Sequence, residues 1–106
     1  MKTVQMNSLI GLFALAGIAL ALPPQSATGR GREVYAAQKC ALCHSIAGIG
    51  GKKSVLDGVG FKLKPEDIKR WIRTPKEMKV NTTMKPYPKL PENDLEDLVA
   101  FITTLR

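Results

Sequence analysis

The middle of the chain carries an apolar pattern typical of a short amphipathic helix. Ile68, Trp71 and Ile72 fall at positions i, i+3 and i+4, which places them on one face of a helix. Pro65 precedes them and is followed by two carboxylates, an order typical of a helix N-terminus. Pro75 is expected to end this helix, because proline removes a backbone donor and clashes with the preceding turn.

Two further helices are predicted, one on each side of this central pattern. Residues 32–39 place Val34 and Tyr35 on one side of the first helix, and the last helix is predicted over 92–105. The apolar residues of the last helix are Leu95, Leu98, Phe101, Ile102 and Leu105. Residues 78–91 are predicted to form a polar, proline-rich loop. No stretch alternates as a strand does, so the predicted fold class is all-α.

An uncharged apolar run over 9–22 precedes the predicted helices. Its length suits the core of a signal peptide and falls short of the ~20 residues that span a membrane. Small residues allow cleavage after Ala21 or after Ala27. We therefore predict a signal peptide over 1–27 and one domain over 28–106, with an uncleaved N-terminal membrane anchor as the alternative. Either arrangement exports the domain.

The size and charge of the chain narrow the range of possible cofactors and partners. A domain of about 80 residues is near the lower limit for a single apolar core, so a large apolar cofactor would help to stabilise it. The chain has 16 Lys and Arg against 9 Asp and Glu, a net charge of +7. Such a surface favours an acidic protein partner or an anionic membrane. The basic residues are scattered and carry no nucleic-acid-binding signature, which argues against a nucleic-acid partner.

The candidate chemistry is concentrated in residues 40–44, which read Cys-Ala-Leu-Cys-His. This pattern is the attachment site of a c-type haem. The thiols of Cys40 and Cys43 are spaced to add to the two vinyl groups of one porphyrin, and His44 then reaches the iron from one face. The chain has no other Cys and no other His. Export agrees with this interpretation, because c-type haem is attached outside the cytoplasm.

Three other interpretations of the motif are weaker. A disulfide-redox motif belongs near a βαβ pattern, which the sequence lacks. A structural zinc site normally takes four ligands from two Cys/His pairs, so zinc would need carboxylates or a second chain. Two inert buried thiols beside a surface histidine is the simplest alternative.

Taken in order along the chain, the motifs resemble those of class I monohaem cytochromes c. The matching residues are Gly31 and Tyr35, the Cys40 to His44 motif, Trp71 and Ile72, residues 83–88 (Thr-Met-Lys-Pro-Tyr-Pro), and Ala100 and Phe101. The resemblance covers nearly all of 28–106. It implies three or four short helices around one covalently bound haem c, with the first and last helices crossing where Gly31 and Phe101 lie.

The resemblance also implies Met84 as the sixth iron ligand. In this family the ligand lies in a Met-Pro or Met-x-Pro loop just before the last helix, and Met84 is followed by Lys85 and Pro86. A thioether is a soft, neutral ligand, and a proline-stiffened loop loses little entropy when it binds. Met78 is the rival, although it lacks a following proline. A gap-filling core methionine is the alternative role for Met84.

The sequence departs from the family at the position that supports the histidine. Relatives often have Gly-Pro ahead of Leu56, and the proline carbonyl accepts the ring N–H. Lys53 and Ser54 stand there in this chain, so the group that accepts the His44 N–H stays open. Lys52 and Lys53 also form a candidate docking patch, although a solvated loop is the simpler interpretation.

If His44 and Met84 both bind the iron, no position is open for oxygen, peroxide or substrate. The predicted function is therefore a periplasmic one-electron carrier, not an enzyme. We expect a monomer with redox protein partners that present an acidic docking surface. Two alternatives stay open. One is a haem c sensor or catalyst with a labile sixth ligand, and the other is a fixed subunit through which electrons enter a larger redox enzyme.

Overall fold

The computed structural model describes residues 25–106, so the predicted signal peptide or anchor over 1–27 lies almost entirely outside the described residues. The elements in chain order are α1 (Ala27–Ala37), a 3-10 turn (Cys40–Leu42), β1 (His44–Ile46), β2 (Ile49–Gly50), β3 (Ser54–Val55), α2 (Val59–Lys62), α3 (Pro65–Arg73), α4 (Pro75–Met78) and α5 (Glu92–Thr103). None of the helices within 25–106 has the length and apolar character of a membrane span.

The longer helices lie close to the predicted positions. α3 begins at Pro65 and ends at Arg73, as predicted, and α5 begins at Glu92. α1 begins earlier than expected, because the Ser26 side chain caps it by accepting a hydrogen bond from the Gly29 N–H at 3.1 Å. The central and last helices are therefore confirmed, and the start of the first helix is corrected. Trp71, predicted on the same buried face as Ile68 and Ile72, is half-buried and lies outside the core.

The prediction of a purely helical fold is wrong in one respect, since the described chain contains a small sheet. β1 lies in the middle, antiparallel to β2 and parallel to β3. Each strand has two or three residues, too few to produce a visible alternation of apolar and polar positions. The fold is thus mostly helical, with α2 and α4 as single turns and one three-stranded sheet after the Cys-x-x-Cys-His segment.

The core forms where α1 crosses α5, as the resemblance implied. A methyl group at Gly31 would overlap the Asp97 carbonyl oxygen and lie 2.7 Å from Phe101 Cβ, so the helices touch through backbone at this point. The Tyr35 ring meets the Phe101 ring edge-on, with centroids 5.7 Å apart. Arg30 Nε pairs with Asp97 Oδ2 at 3.0 Å at the rim. The buried core side chains are Tyr35, Ile68, Ile72, Leu90, Leu95, Leu98, Val99, Phe101 and Ile102.

Gly31→Ala is expected to destabilise the protein by about 1–3 kcal/mol, because the added methyl group would overlap backbone atoms that can move only by distorting the helix crossing. Gly29→Ala is the matched control in the same helix. Its added methyl group would lie 3.1 Å from the Gln25 side chain, which is exposed and can move. Chemical denaturation followed by far-UV circular dichroism measures both. Equal denaturation midpoints for the two variants would contradict this account of the crossing.

Candidate functional site

The Cys-x-x-Cys-His segment connects α1 to the sheet. Lys39 has a left-handed backbone (φ 60°), which reverses the chain after α1 and begins the 3-10 turn at Cys40. Cys40 is half-buried and packs against the core, whereas Cys43 is exposed, and both are free thiols. The Gly51 N–H donates to the Ala41 carbonyl at 2.8 Å, so the β1–β2 hairpin folds back onto this turn.

His44 is the first residue of β1 and is partly buried. Its Nδ1 atom is buried and makes no hydrogen bond to any described residue. Desolvation lowers the pKa of His44, and the Ser54 backbone opposes part of this effect. Desolvation thus favours the neutral form of the ring, which is the form that binds metal.

Ser54 lies beside His44 because β1 and β3 are parallel neighbours. His44 and Ser54 are register partners, and the Ser54 N–H donates to the Cys43 carbonyl at 3.1 Å. The backbone at Ser54 is thus the polar group that acts on the histidine ring.

Two tyrosines, Tyr35 and Tyr87, lie near Cys40. Burial raises the pKa of Tyr35 and of Tyr87, and the nearby Cys40 raises both further. Burial also raises the pKa of the Cys40 thiol. The Tyr35 hydroxyl is buried and has no partner among the described residues, whereas the Tyr87 hydroxyl donates to the Gln38 carbonyl at 3.2 Å. The surroundings of Cys40 are therefore largely apolar.

Residues 79–91, here called the methionine loop, join α4 to α5 without helix or strand. Met84 is half-buried and packs against the core, and its N–H donates to Thr82 Oγ1 at 3.2 Å. Met78 ends α4 and is partly buried, but it is not among the side chains that pack against the core. Lys53 Nζ lies 3.4 Å from Thr83 Oγ1 and connects the loop to the histidine side of the site.

The far end of the methionine loop is held by α3. Arg73 Nη1 donates to the carbonyl oxygens of Tyr87, Pro88 and Leu90 at 3.2, 3.1 and 2.6 Å. Arg73 Nη2 pairs with Glu92 Oε1 at 3.2 Å. The sequence did not single out Arg73, because its acceptors are backbone carbonyls that leave no side-chain signature.

Exposed apolar side chains lie in the attachment turn, in the hairpin that folds onto it and in the methionine loop. Leu42 in the turn and Ile49 in the hairpin that folds onto it are 76% and 77% exposed, and Val80 in the methionine loop is 83% exposed. Lys52 and Lys53 follow the hairpin and are also exposed. This part of the surface therefore combines apolar and positively charged groups.

The side chains present suit covalent attachment of a haem. Two cysteines outside any disulfide stand at the required spacing, and the imidazole of His44 follows them directly. A thioether packs against the core from the loop before α5. Within residues 25–106, no group of three or more His, Cys, Asp and Glu side chains is arranged to hold a metal ion.

Comparisons with known proteins agree with this chemistry. Residues 26–102 match the family model described as cytochrome c oxidase, cbb3-type, subunit III. The chain is also similar to cytochrome c oxidase subunit 2 of Alkalihalophilus pseudofirmus. The two are 29% identical over 94 residues, which cover 79% of this chain and 27% of the relative. This chain thus spans just over a quarter of the length of that relative.

Proposed function

This chain belongs to the family of cytochrome c oxidase, cbb3-type, subunit III and is a small c-type cytochrome, and we propose that it carries single electrons, with His44 and Met84 as the residues that would bind the haem iron. The cytochrome c domain of this family binds haem c covalently. When bound, the haem supplies one-electron chemistry between ferrous and ferric iron.

We assign the two thioether bonds to Cys40 and Cys43. The half-buried Cys40 faces the core and the exposed Cys43 faces outward, so the pair spans the edge of the apolar interior. His44 follows at the start of β1, and desolvation favours the neutral form of its ring, the form that binds metal. Ser54 is proposed to orient the ring through its backbone carbonyl, which keeps the other nitrogen free to bind iron.

The observation that carries the His/Met assignment is the packing of Met84 against the core from the loop just before α5. The following Pro86 stiffens this loop, so less conformational entropy is lost when the thioether binds. If both side chains bind the iron, no position would be left for oxygen or peroxide. The proposed role is therefore electron transfer rather than enzymatic catalysis.

The proposed location is the periplasmic side of the membrane, with the apolar N-terminal segment acting as a signal peptide or as an anchor. Ser26 caps α1 and is one residue before Ala27. Cleavage after Ala27 would remove this cap, whereas cleavage after Ala21 would leave it in place. We therefore favour Ala21 over Ala27 as the cleavage site.

The proposed partner is a redox protein with an acidic surface, because the chain carries a net charge of +7. Electron transfer from the reduced protein to oxidase-containing membranes of the source organism should slow at least tenfold between about 0.01 M and 0.15 M salt, as the Debye length falls from about 30 Å to about 8 Å. Stopped-flow absorbance measures the rate.

Charge reversal locates the docking surface. Replacing both Lys52 and Lys53 with Glu should slow electron transfer more than Lys62→Glu does. Lys62 serves as the control because it ends α2, which lies next to the C-terminal end of the chain. There the Gly60 N–H donates to the Leu105 carbonyl. A rate that is independent of salt and of both substitutions would instead indicate apolar docking.

A fixed subunit of a larger oxidase is the second candidate function. It is favoured because the matched family and the similar protein are both described as oxidase subunits, and that protein is several times longer than the shared region. The two candidates differ in purification. A diffusible carrier elutes alone after mild detergent extraction of membranes, whereas a fixed subunit elutes with copper- or haem-containing partner chains.

A further inference from the structure

The backbone of the methionine loop makes few hydrogen bonds to the rest of the protein. Between residues 80 and 90, the described structure has one backbone hydrogen bond from the loop to the rest of the chain, from the Tyr87 N–H to the Ile72 carbonyl at 2.9 Å. The loop is nevertheless closed against the core, since Leu90 is buried and Met84 half-buried. Side chains outside the loop must therefore supply much of its support.

Arg73 supplies most of that support. One guanidinium nitrogen meets the carbonyl oxygens of Tyr87, Pro88 and Leu90 in the second half of the loop, and another nitrogen meets Glu92 at the start of α5. The side chain is only 22% exposed, so these bonds are partly shielded from water. Hydrogen bonds from Lys69 and Arg73 hold the pKa of Glu92 below its ordinary value, so its carboxylate stays ionised.

The geometry requires arginine rather than any cation. The planar fork of a guanidinium presents several N–H donors in fixed directions, whereas a lysine ammonium is a single point charge. Backbone carbonyls that are shielded from water need donors. Here three carbonyls, two of them in partly buried hydrogen bonds, share one side chain. The same loop is tied on its other side by the Tyr87 hydroxyl to the Gln38 carbonyl, two residues before Cys40.

We propose that Arg73 is a positioning residue that keeps the methionine loop closed and so holds the Met84 thioether in place. Met84 lies three residues before the first clamped carbonyl, that of Tyr87, and Pro86 stiffens the chain between them. A thioether is a weak ligand that competing ligands can displace when the loop opens. This inference rests on the proposed ligation by Met84, and Arg73 itself touches neither the iron nor the thioether.

The test compares Arg73 with Arg70, which lies in the same helix and pairs at 3.6 Å with Glu77 on the exposed surface. Imidazole is titrated into the ferric holoprotein of the unmodified chain and of Arg73→Ala, Arg73→Lys and Arg70→Ala. Loss of the methionine-to-iron charge-transfer band reports displacement of the thioether. Circular dichroism confirms that each variant remains folded under these conditions.

Both Arg73 variants should bind imidazole at least tenfold more tightly than the unmodified protein. This change is equivalent to lowering the free energy of loop opening by about 1.4 kcal/mol. Arg70→Ala should stay within twofold. If Arg73→Ala fails to accumulate, Arg73→Lys supplies the same comparison. A purely structural role would lower the denaturation midpoint without changing the imidazole affinity of the folded protein.

Two results would overturn the inference, and they are distinguishable. If the unmodified protein shows the methionine band but the Arg73 variants bind imidazole as Arg70→Ala does, Arg73 does not position the loop and the proposed function stands. If the unmodified protein lacks the band, the proposed ligation by Met84 fails, and the inference fails with it.

Discussion

Replacing Met84 with alanine should convert the protein from an electron carrier into one with an open iron position. The thioether is the proposed sixth ligand, so its loss should abolish the methionine charge-transfer band of the ferric form. Carbon monoxide should then bind the ferrous form readily. Methionine opposite histidine favours ferrous iron, so the reduction potential should fall by at least about 59 mV, a tenfold change for a one-electron couple.

Met78→Ala is the matched control for this substitution. Met78 is partly buried at the end of α4, yet it does not pack against the core as Met84 does. Its replacement should leave the band, the potential and the carbon monoxide behaviour unchanged. If Met78→Ala abolishes the band and Met84→Ala does not, the ligand assignment is wrong and the electron-carrier function survives.

The second large effect is expected at the thiols. The haem of the unmodified protein should resist acid-acetone extraction, because thioether bonds hold it to the chain. Cys40→Ala and Cys43→Ala should each yield a singly linked or poorly matured product. The double variant should release all of its haem on extraction, as measured by absorbance of the organic phase and by the mass of the chain.

Leu42→Ala controls for local disturbance of the attachment turn. Leu42 lies between the two cysteines and is 76% exposed, so its truncation removes little packing. The haem of this variant should remain fully attached. Release of free haem from the unmodified protein would refute the assignment of the two thioether bonds to Cys40 and Cys43.

Periodicity predicted the parts of the fold that are amphipathic over several turns. The α3 stripe and the α5 stripe are helical because their apolar residues share one face, and that face forms the core with Tyr35. The sheet was not predicted, because each strand has three residues or fewer and so shows no alternating pattern. The start of α1 was also missed, because Ser26 was assigned to the predicted signal peptide although it caps the helix.

The functional site likewise contains some features that contiguous residues reveal and others that depend on residues far apart in the sequence. The Cys-x-x-Cys-His motif is contiguous, so its chemistry can be inferred from the sequence alone. The role of Arg73 depends on carbonyls 14 to 17 residues away and could emerge only from the folded backbone. The same holds for Ser54, which meets His44 only because β1 and β3 are parallel neighbours.

Absorbance spectra of the purified, unmodified protein test the central claim most directly. The ferric form is recorded first, and the ferrous form is then mixed with carbon monoxide. Ligation by His44 and Met84 predicts the methionine charge-transfer band at the red end of the ferric spectrum, and a ferrous spectrum that carbon monoxide leaves unchanged over minutes. A ferric spectrum without that band, together with rapid binding of carbon monoxide, would contradict the electron-carrier account and favour a sensor or catalyst.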